Sequence, residues 1–307
     1  MLILPNLIWQ YGNNFPVIHH MKELSARQLV NVNRWGFLTD QVLFFIGSLP
    51  IILSGLYALF FYPPFKKYRF FFWNLCFTLL VFTYLKAKSY YAIGLYPIYI
   101  AIGSAYLGEV LQTGWLIYLR PFLLAIPILL FIPMYQVVFP NRSPEYIIQH
   151  PQLYRTLGLL RWEDGKDHPL PQDFADMLGW KDLARQVDSI YAKMEDPEHT
   201  LILCDNYGQA GAIDYYAQNK KIRAVAFNSD YINWFNLNIK YDHLIRIKSV
   251  EDNDKETSAT GQYFQTGYVA GGISNPYARE YGTTIYVFKN AKIDIRGRIK
   301  EEIERYK

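Results

Sequence analysis

From Gln41 to Gly108 the sequence contains no Asp and no Glu. A stretch that long without an acid excludes an ordinary solvated surface, and it excludes the intramembrane carboxylates that usually mark ion and proton pathways. Cysteine is scarce as well. The chain has two, Cys76 inside an apolar run and Cys204 at the end of a strand-like run, so a disulfide framework is excluded. No Cys/His spacing suggests zinc. The glycine-containing stretches "CDNYGQAGAIDYY" and "GYVAGGISNPY" lack the spacing and the Lys-Ser/Thr ending of a phosphate loop. There is no G-x-S-x-G, so hydrolase chemistry of that type has no visible nucleophile. Nor is there an internal repeat. A formal net charge of +4, with the basic residues scattered, does not point to nucleic acid.

What the chain has in excess is aromatic and apolar residues, at 17% and 51%. Four apolar runs are close to the roughly 20 residues a bilayer requires: Gln41–Tyr62, Phe70–Leu85, Tyr90–Gly108 and Trp115–Val138. Between the first two, "FYPPFKKYR" carries Pro63-Pro64 to stop a helix and Lys66, Lys67 and Arg69 to hold the turn in water. Four core helices of a soluble protein are the competing reading, and the missing acids favour membrane spans. Lys66, Lys67, Arg69 and Arg120 would lie on one side, with Lys22, Arg27, Arg34, Lys86 and Lys88 on the other, so charge alone does not orient the chain. The opening "MLILPNLIWQ" is too short to span and reads as the end of a membrane helix, and residues 1–40 continue as an amphipathic segment.

Composition becomes ordinary from Asn141 onward. Residues 140–307 are expected to form a soluble α/β domain. Apolar positions at helical spacing predict one or two helices over Pro171–Met194. Strands are predicted at Thr200–Asp205, Ile222–Phe227, Leu244–Ile247, Tyr268–Ala270 and Thr284–Phe288, with a helix after the first and another at "GRIKEEIERYK".

Two constellations carry chemistry. In "KAKSYYAIGLYPIYIAIGSAY", Lys86, Lys88, Tyr90 and Tyr91 introduce an apolar run interrupted by Pro97. One reading is snorkelling lysines with an aromatic belt at a helix end. The other is a cation pair that meets a lipid phosphate through charge-assisted hydrogen bonds. In "FPVIHHMKEL", His19 and His20 diverge on a helix and lack a suitably spaced acid, which argues against a metal. An amphipathic segment on the membrane, with His19, His20 and Lys22 lining a polar site, fits better.

These segments, "LPNLIWQYGNNFPVIHHMKEL", "KAKSYYAIGLYPIYIAIGSAYL" and "ADMLGWKDLARQV" with "CDNYGQAGAIDYYAQ", together resemble the C-terminal half of bacterial membrane glycosyltransferases of family 39. Those enzymes are relatives of protein O-mannosyltransferases and of the lipid A aminoarabinose transferase. The resemblance covers nearly the whole chain. It implies an incomplete GT-C-like, α-helical multi-span region in the bacterial inner membrane, followed by the small α/β domain on the extracytoplasmic side. The implied activity is transfer of a sugar from a polyprenyl-phosphate donor to a protein, lipid or glycan acceptor. In that picture Lys86 and Lys88 sit near the donor phosphate, and Tyr90 and Tyr91 begin a helix lining the lipid groove. Pro97 bends that helix, and His19, His20 and Lys22 cap the site.

One departure is central. In the family the catalytic carboxylate lies in the first extracytoplasmic loop, and this chain has no such loop. Glu23 and Asp40 are the nearby acids, and nothing in their context marks either as a base. The resemblance therefore implies a C-terminal portion, inactive alone. Its base, with any divalent metal, would belong to an N-terminal half, and no cofactor is evident in the chain itself. The alternative is a non-catalytic, membrane-anchored module that presents the α/β domain for binding.

Overall fold

The computed structural model describes residues 3–27, 29–250 and 256–306, the side chains of His19, Glu23 and Arg27 excepted. Contacts divide the chain into two units, Met1–Met21 with His168–Lys307 and Lys22–Asp167. The chain starts with α1 (Leu4–Gly12) and α2 (Pro16–Arg27), and α2 runs across that division.

In the unit Lys22–Asp167, proline decides where the apolar runs become helices. α3 (Arg34–Phe44) is capped by Asn33, whose side chain accepts from the backbone N–H groups of Trp35 and Gly36. α4 (Leu49–Phe61) starts afresh with Pro50 in its first turn, and the two axes are bent by 99°. After Pro63-Pro64 comes α5 (Phe70–Tyr84), whose 15 residues extend about 22 Å, short of the ~30 Å hydrocarbon core. A short 3-10 helix, Ser89–Leu95, meets α6 (Pro97–Val110) at 44°, where Pro97 opens the new helix. α7 (Arg120–Val138), entered through a 3-10 turn at Gly114–Leu119, completes a continuous apolar helix of 25 residues. α8 (Pro144–Gln149) and α9 (Gln152–Thr156) close the unit.

The expected four-span, GT-C-like membrane region is therefore wrong. Among the described residues one helix, Gly114–Val138, is long and apolar enough to cross a membrane. The expected spans 41–62 and 90–108 are each broken in two, and 70–85 is too short. Apolar composition alone cannot tell a span from a broken pair, because proline ends the helical ladder without changing hydropathy.

The core of this unit gathers Phe37, Ile52, Leu59, Leu75, Ala92, Tyr96 and Tyr99. It depends on an approach of α4 to α6 so close that only glycine fits. A Cβ on Gly103 would lie 1.9 Å from the Ile51 carbonyl oxygen, and one on Gly55 would lie 2.4 Å from that of Tyr99. Gly103→Ala is expected to force the helices apart and to destabilise the unit by about 3 kcal/mol. Thermal unfolding in detergent checks this, and an unchanged midpoint would refute the crossing.

The second unit is a layered α/β domain. After α10 (Gln172–Ala175) and α11 (Trp180–Tyr191) come β1 (Thr200–Cys204), α12 (Tyr207–Tyr216), β2 (Ala224–Ala226) and β3 (His243–Lys248). α13 (Glu256–Ala259), β4 (Phe264–Gly272), β5 (Thr284–Ala291) and α14 (Ile295–Tyr306) follow. The five strands form one sheet in the order β2-β1-β3-β5-β4. β1 pairs in parallel with β2 and β3, while β5 is antiparallel to β3 and β4. Alternation along the strands sorts the core. Ile202, Cys204, Ile245, Ile247, Ile285 and Val287 pack with residues of α11 and α12. Leu201, Leu244, Tyr286 and Phe288 pack with Ile295 and Ile299 of α14.

Candidate functional site

The lysine loop is built by the way α5 stops. Ala87 N–H donates to the Phe82 carbonyl (2.9 Å) and Lys86 N–H to that of Thr83 (3.3 Å), a Schellman ending. Lys86 itself holds φ at +55°, the left-handed conformation that usually takes glycine. The Arg34 guanidinium donates to the Thr83 and Tyr84 carbonyls, so a second cation covers the negative end of the helix.

This brings Lys86, Lys88, Tyr90 and Tyr91 together but commits both ammonium groups to the protein. Lys86 Nζ donates to the Val30 carbonyl at 3.2 Å. Lys88 Nζ donates to Glu163 Oε1 at 2.5 Å, and its side chain is only 13% exposed. Asn31 holds the same loop by donating to the Glu163 carbonyl at 3.0 Å. Ser89 Oγ donates to Asp40 Oδ2 at 2.5 Å, so Asp40 is tied into the loop as a hydrogen-bond acceptor. Gln41 donates to the Phe37 and Ser89 carbonyls. Tyr90 and Tyr91 are exposed and meet edge to face, their ring centroids 4.9 Å apart. His20 and Lys22 are exposed on α2, while the side chain of His19 lies outside the described residues, as does that of Glu23.

Burial opposes the charge on Lys88, but the hydrogen bond and the attraction of Glu163 outweigh it and hold the ammonium pKa above its ordinary value. Stability from this pair is therefore full below the unfolded lysine pKa of about 10.4 and is lost only as pH climbs through the raised folded value. Glu163→Gln is expected to cost about 2 kcal/mol at neutral pH and to remove that alkaline dependence. Melting curves between neutral pH and the lysine range would show it, and a variant that melts like the parent throughout would refute the tie. Sequence reasoning missed Glu163 because it lies 75 residues beyond Lys88, inside an unremarkable charged turn.

A second polar cluster lies at the carboxyl ends of β1 and β3. β1 leads to β2 on one side while β3 pairs on the other, and open α/β sheets bind ligands outside such a reversal. Asp205 accepts from Arg246, from Lys248 at 3.3 Å and from Ser249 N–H at 2.8 Å. Glu256 stands 3.5 Å from Arg246 and 3.9 Å from Lys248. Asn206 caps α12 by accepting from Gln209 N–H. The fully buried Gln209 donates to Ser249 Oγ at 3.0 Å and to Glu280 at 2.8 Å. Cations, carboxylates and amides satisfy one another here, so the cluster suits rigidity and docking better than nucleophilic chemistry. At the same edge, two residues past β2, Asn228 Oδ1 is buried and has no hydrogen-bond partner among the described residues.

Among the described residues no group of three or more His, Cys, Asp or Glu side chains is placed to hold a metal ion. Comparison with known protein families, with curated proteins and with solved structures finds no match for this chain.

Proposed function

We propose that this chain is a membrane-anchored module that presents its α/β domain for binding. One observation carries the reading. Gly114–Val138 is about 37 Å long at 1.5 Å per residue, and none of the 18 residues in its apolar window is buried in the protein. A helix with so long an apolar stretch left unburied by its own chain has a hydrocarbon phase as its natural solvent. Its flanks support this: Trp115 and Tyr118 near one end and Tyr135 and Phe139 near the other are exposed, as at a bilayer boundary. Pro127 and Pro133 inside the helix are tolerated in membrane segments.

Transfer of a sugar from a polyprenyl phosphate is the weaker reading of the same residues. It asks Lys86 and Lys88 to meet a donor phosphate, whereas the ammonium groups are held by Val30 and Glu163. The α/β domain, with its self-satisfied cluster at the carboxyl edge of β1 and β3, fits recognition better than catalysis. Alkaline carbonate extraction of membranes that contain the full chain tests the anchor. Retention in the pellet is expected, and release into the supernatant would refute it.

A further inference from the structure

A different surface of the same unit has no role in the anchor. α5 packs Phe71, Phe72, Leu75, Leu79 and Phe82 onto the core. Its opposite face bears Phe70, Trp73, Phe77, Leu80 and Tyr84, each more than half exposed. Steps of three and four residues keep these five on one stripe along the helix. An apolar strip of that extent marks an interaction surface.

Charge around the stripe says what covers it. Lys66, Lys67 and Arg69 are exposed in the turn that leads into α5. Arg34 and Lys86 lie at its other end. The sequence from Gln41 to Gly108 itself contains no acid, and Glu109, which accepts from the Tyr62 hydroxyl, is one carboxylate against three cations at the turn. Two copies paired along the stripe would bring cation to cation whether aligned parallel or antiparallel, which is unfavourable. An anionic lipid surface satisfies both parts, its phosphates meeting the exposed Lys66, Lys67 and Arg69 and its acyl boundary meeting the aromatic strip. Trp73 and Tyr84 are the side chains that prefer this boundary. At about 22 Å, α5 is suited to lie along an interface rather than to cross it.

We infer that the outer face of α5, with the Lys66-Lys67-Arg69 turn, docks in the headgroup region of anionic lipid. The inference rests on the membrane reading above and adds the lipid class and the surface that meets it.

The chain carries its own probe position. Cys76 is exposed on α5, whereas Cys204 is buried and its thiol pKa is pushed up by that burial. An environment-sensitive dye therefore reacts at Cys76. The full chain so labelled would be reconstituted in vesicles of equimolar phosphatidylcholine and phosphatidylglycerol. Blue-shifted emission is expected, with stronger quenching by shallow than by deep nitroxide lipids. Lys66→Gln, Lys67→Gln and Arg69→Gln combined should weaken docking on the order of a hundredfold, at about fivefold per cation, and return the dye to water-like emission.

Water-like emission from the parent chain would overturn the proposal. So would a blue shift that ignores nitroxide lipids and grows with protein density, which would identify a second copy. An unchanged triple variant would overturn the role of charge. Alkaline extraction of the same vesicles separates this inference from the anchor. Retained protein with a water-like dye sinks the docking alone, and released protein with a lipid-quenched dye sinks the anchor alone.

Discussion

Leu124→Arg combined with Ile128→Arg is expected to abolish retention of the chain in a membrane. The two positions lie near the middle of Gly114–Val138, one turn apart on the same side, and both are largely exposed. Each arginine at the centre of a membrane helix costs roughly 2.5–3.5 kcal/mol on the insertion scale, so the pair costs roughly 5–7 kcal/mol. That shifts the insertion equilibrium by about four orders of magnitude. Opposite consequences follow if the helix faces water. Two arginines on an exposed surface would then be close to neutral for stability and would raise solubility. Carbonate extraction combined with protease protection separates the outcomes. A variant that still resists extraction would show that this helix is not the anchor.

Asp205→Ala should cost about 3 kcal/mol, and the loss should be confined to the α/β domain. The side chains of Asp205, Arg246 and Lys248 are between 13% and 18% exposed, so each charge is held largely away from water. Without Asp205 the remaining carboxylate near Arg246 among the described residues is Glu256, at 3.5 Å. Ser249 N–H loses its acceptor as well. Stripping the partner from a mostly buried charge is penalised far more than its net pairing energy, because desolvation of the survivor is no longer offset. Asp205→Asn keeps an acceptor for Ser249 and should fall between the two. Near-ultraviolet circular dichroism and urea titration of the full chain in detergent would read the effect. If Asp205→Ala unfolds at the parent concentration, the cluster is not what joins the ends of β1 and β3.

The α/β half was largely legible in the sequence. Short β-branched runs such as Thr200–Asp205 and Leu244–Ile247 fall on β1 and β3, and the helix expected after the first strand is α12. Such elements are readable because a strand buried on both faces must be almost wholly apolar. β4 was seen only at its middle, Tyr268–Ala270, since most of Phe264–Gly272 is exposed and its pattern is weak.

In the apolar half, the same kind of reading failed at the breaks. Hydropathy is a running sum, and Pro50 and Pro97 barely alter it, yet each starts a new helix in a new direction. Lys86 and Lys88 are neighbours in the sequence and stay in one loop of the structure. What occupies the cations was hidden, because Glu163 reaches Lys88 across 75 residues and Val30 reaches Lys86 across 56.

The sequence by itself determined that Gln41–Gly108 is apolar and free of acids and that the C-terminal part alternates strand and helix, since both follow from residue type and short-range period. Only the tertiary structure decided that, among the described residues, a single continuous helix is a candidate to cross a bilayer, that Glu163 holds Lys88, and that Asp205 gathers Arg246 and Lys248. Those outcomes depend on chain direction at a few prolines and on pairings between distant residues, and neither leaves a periodic trace along the chain.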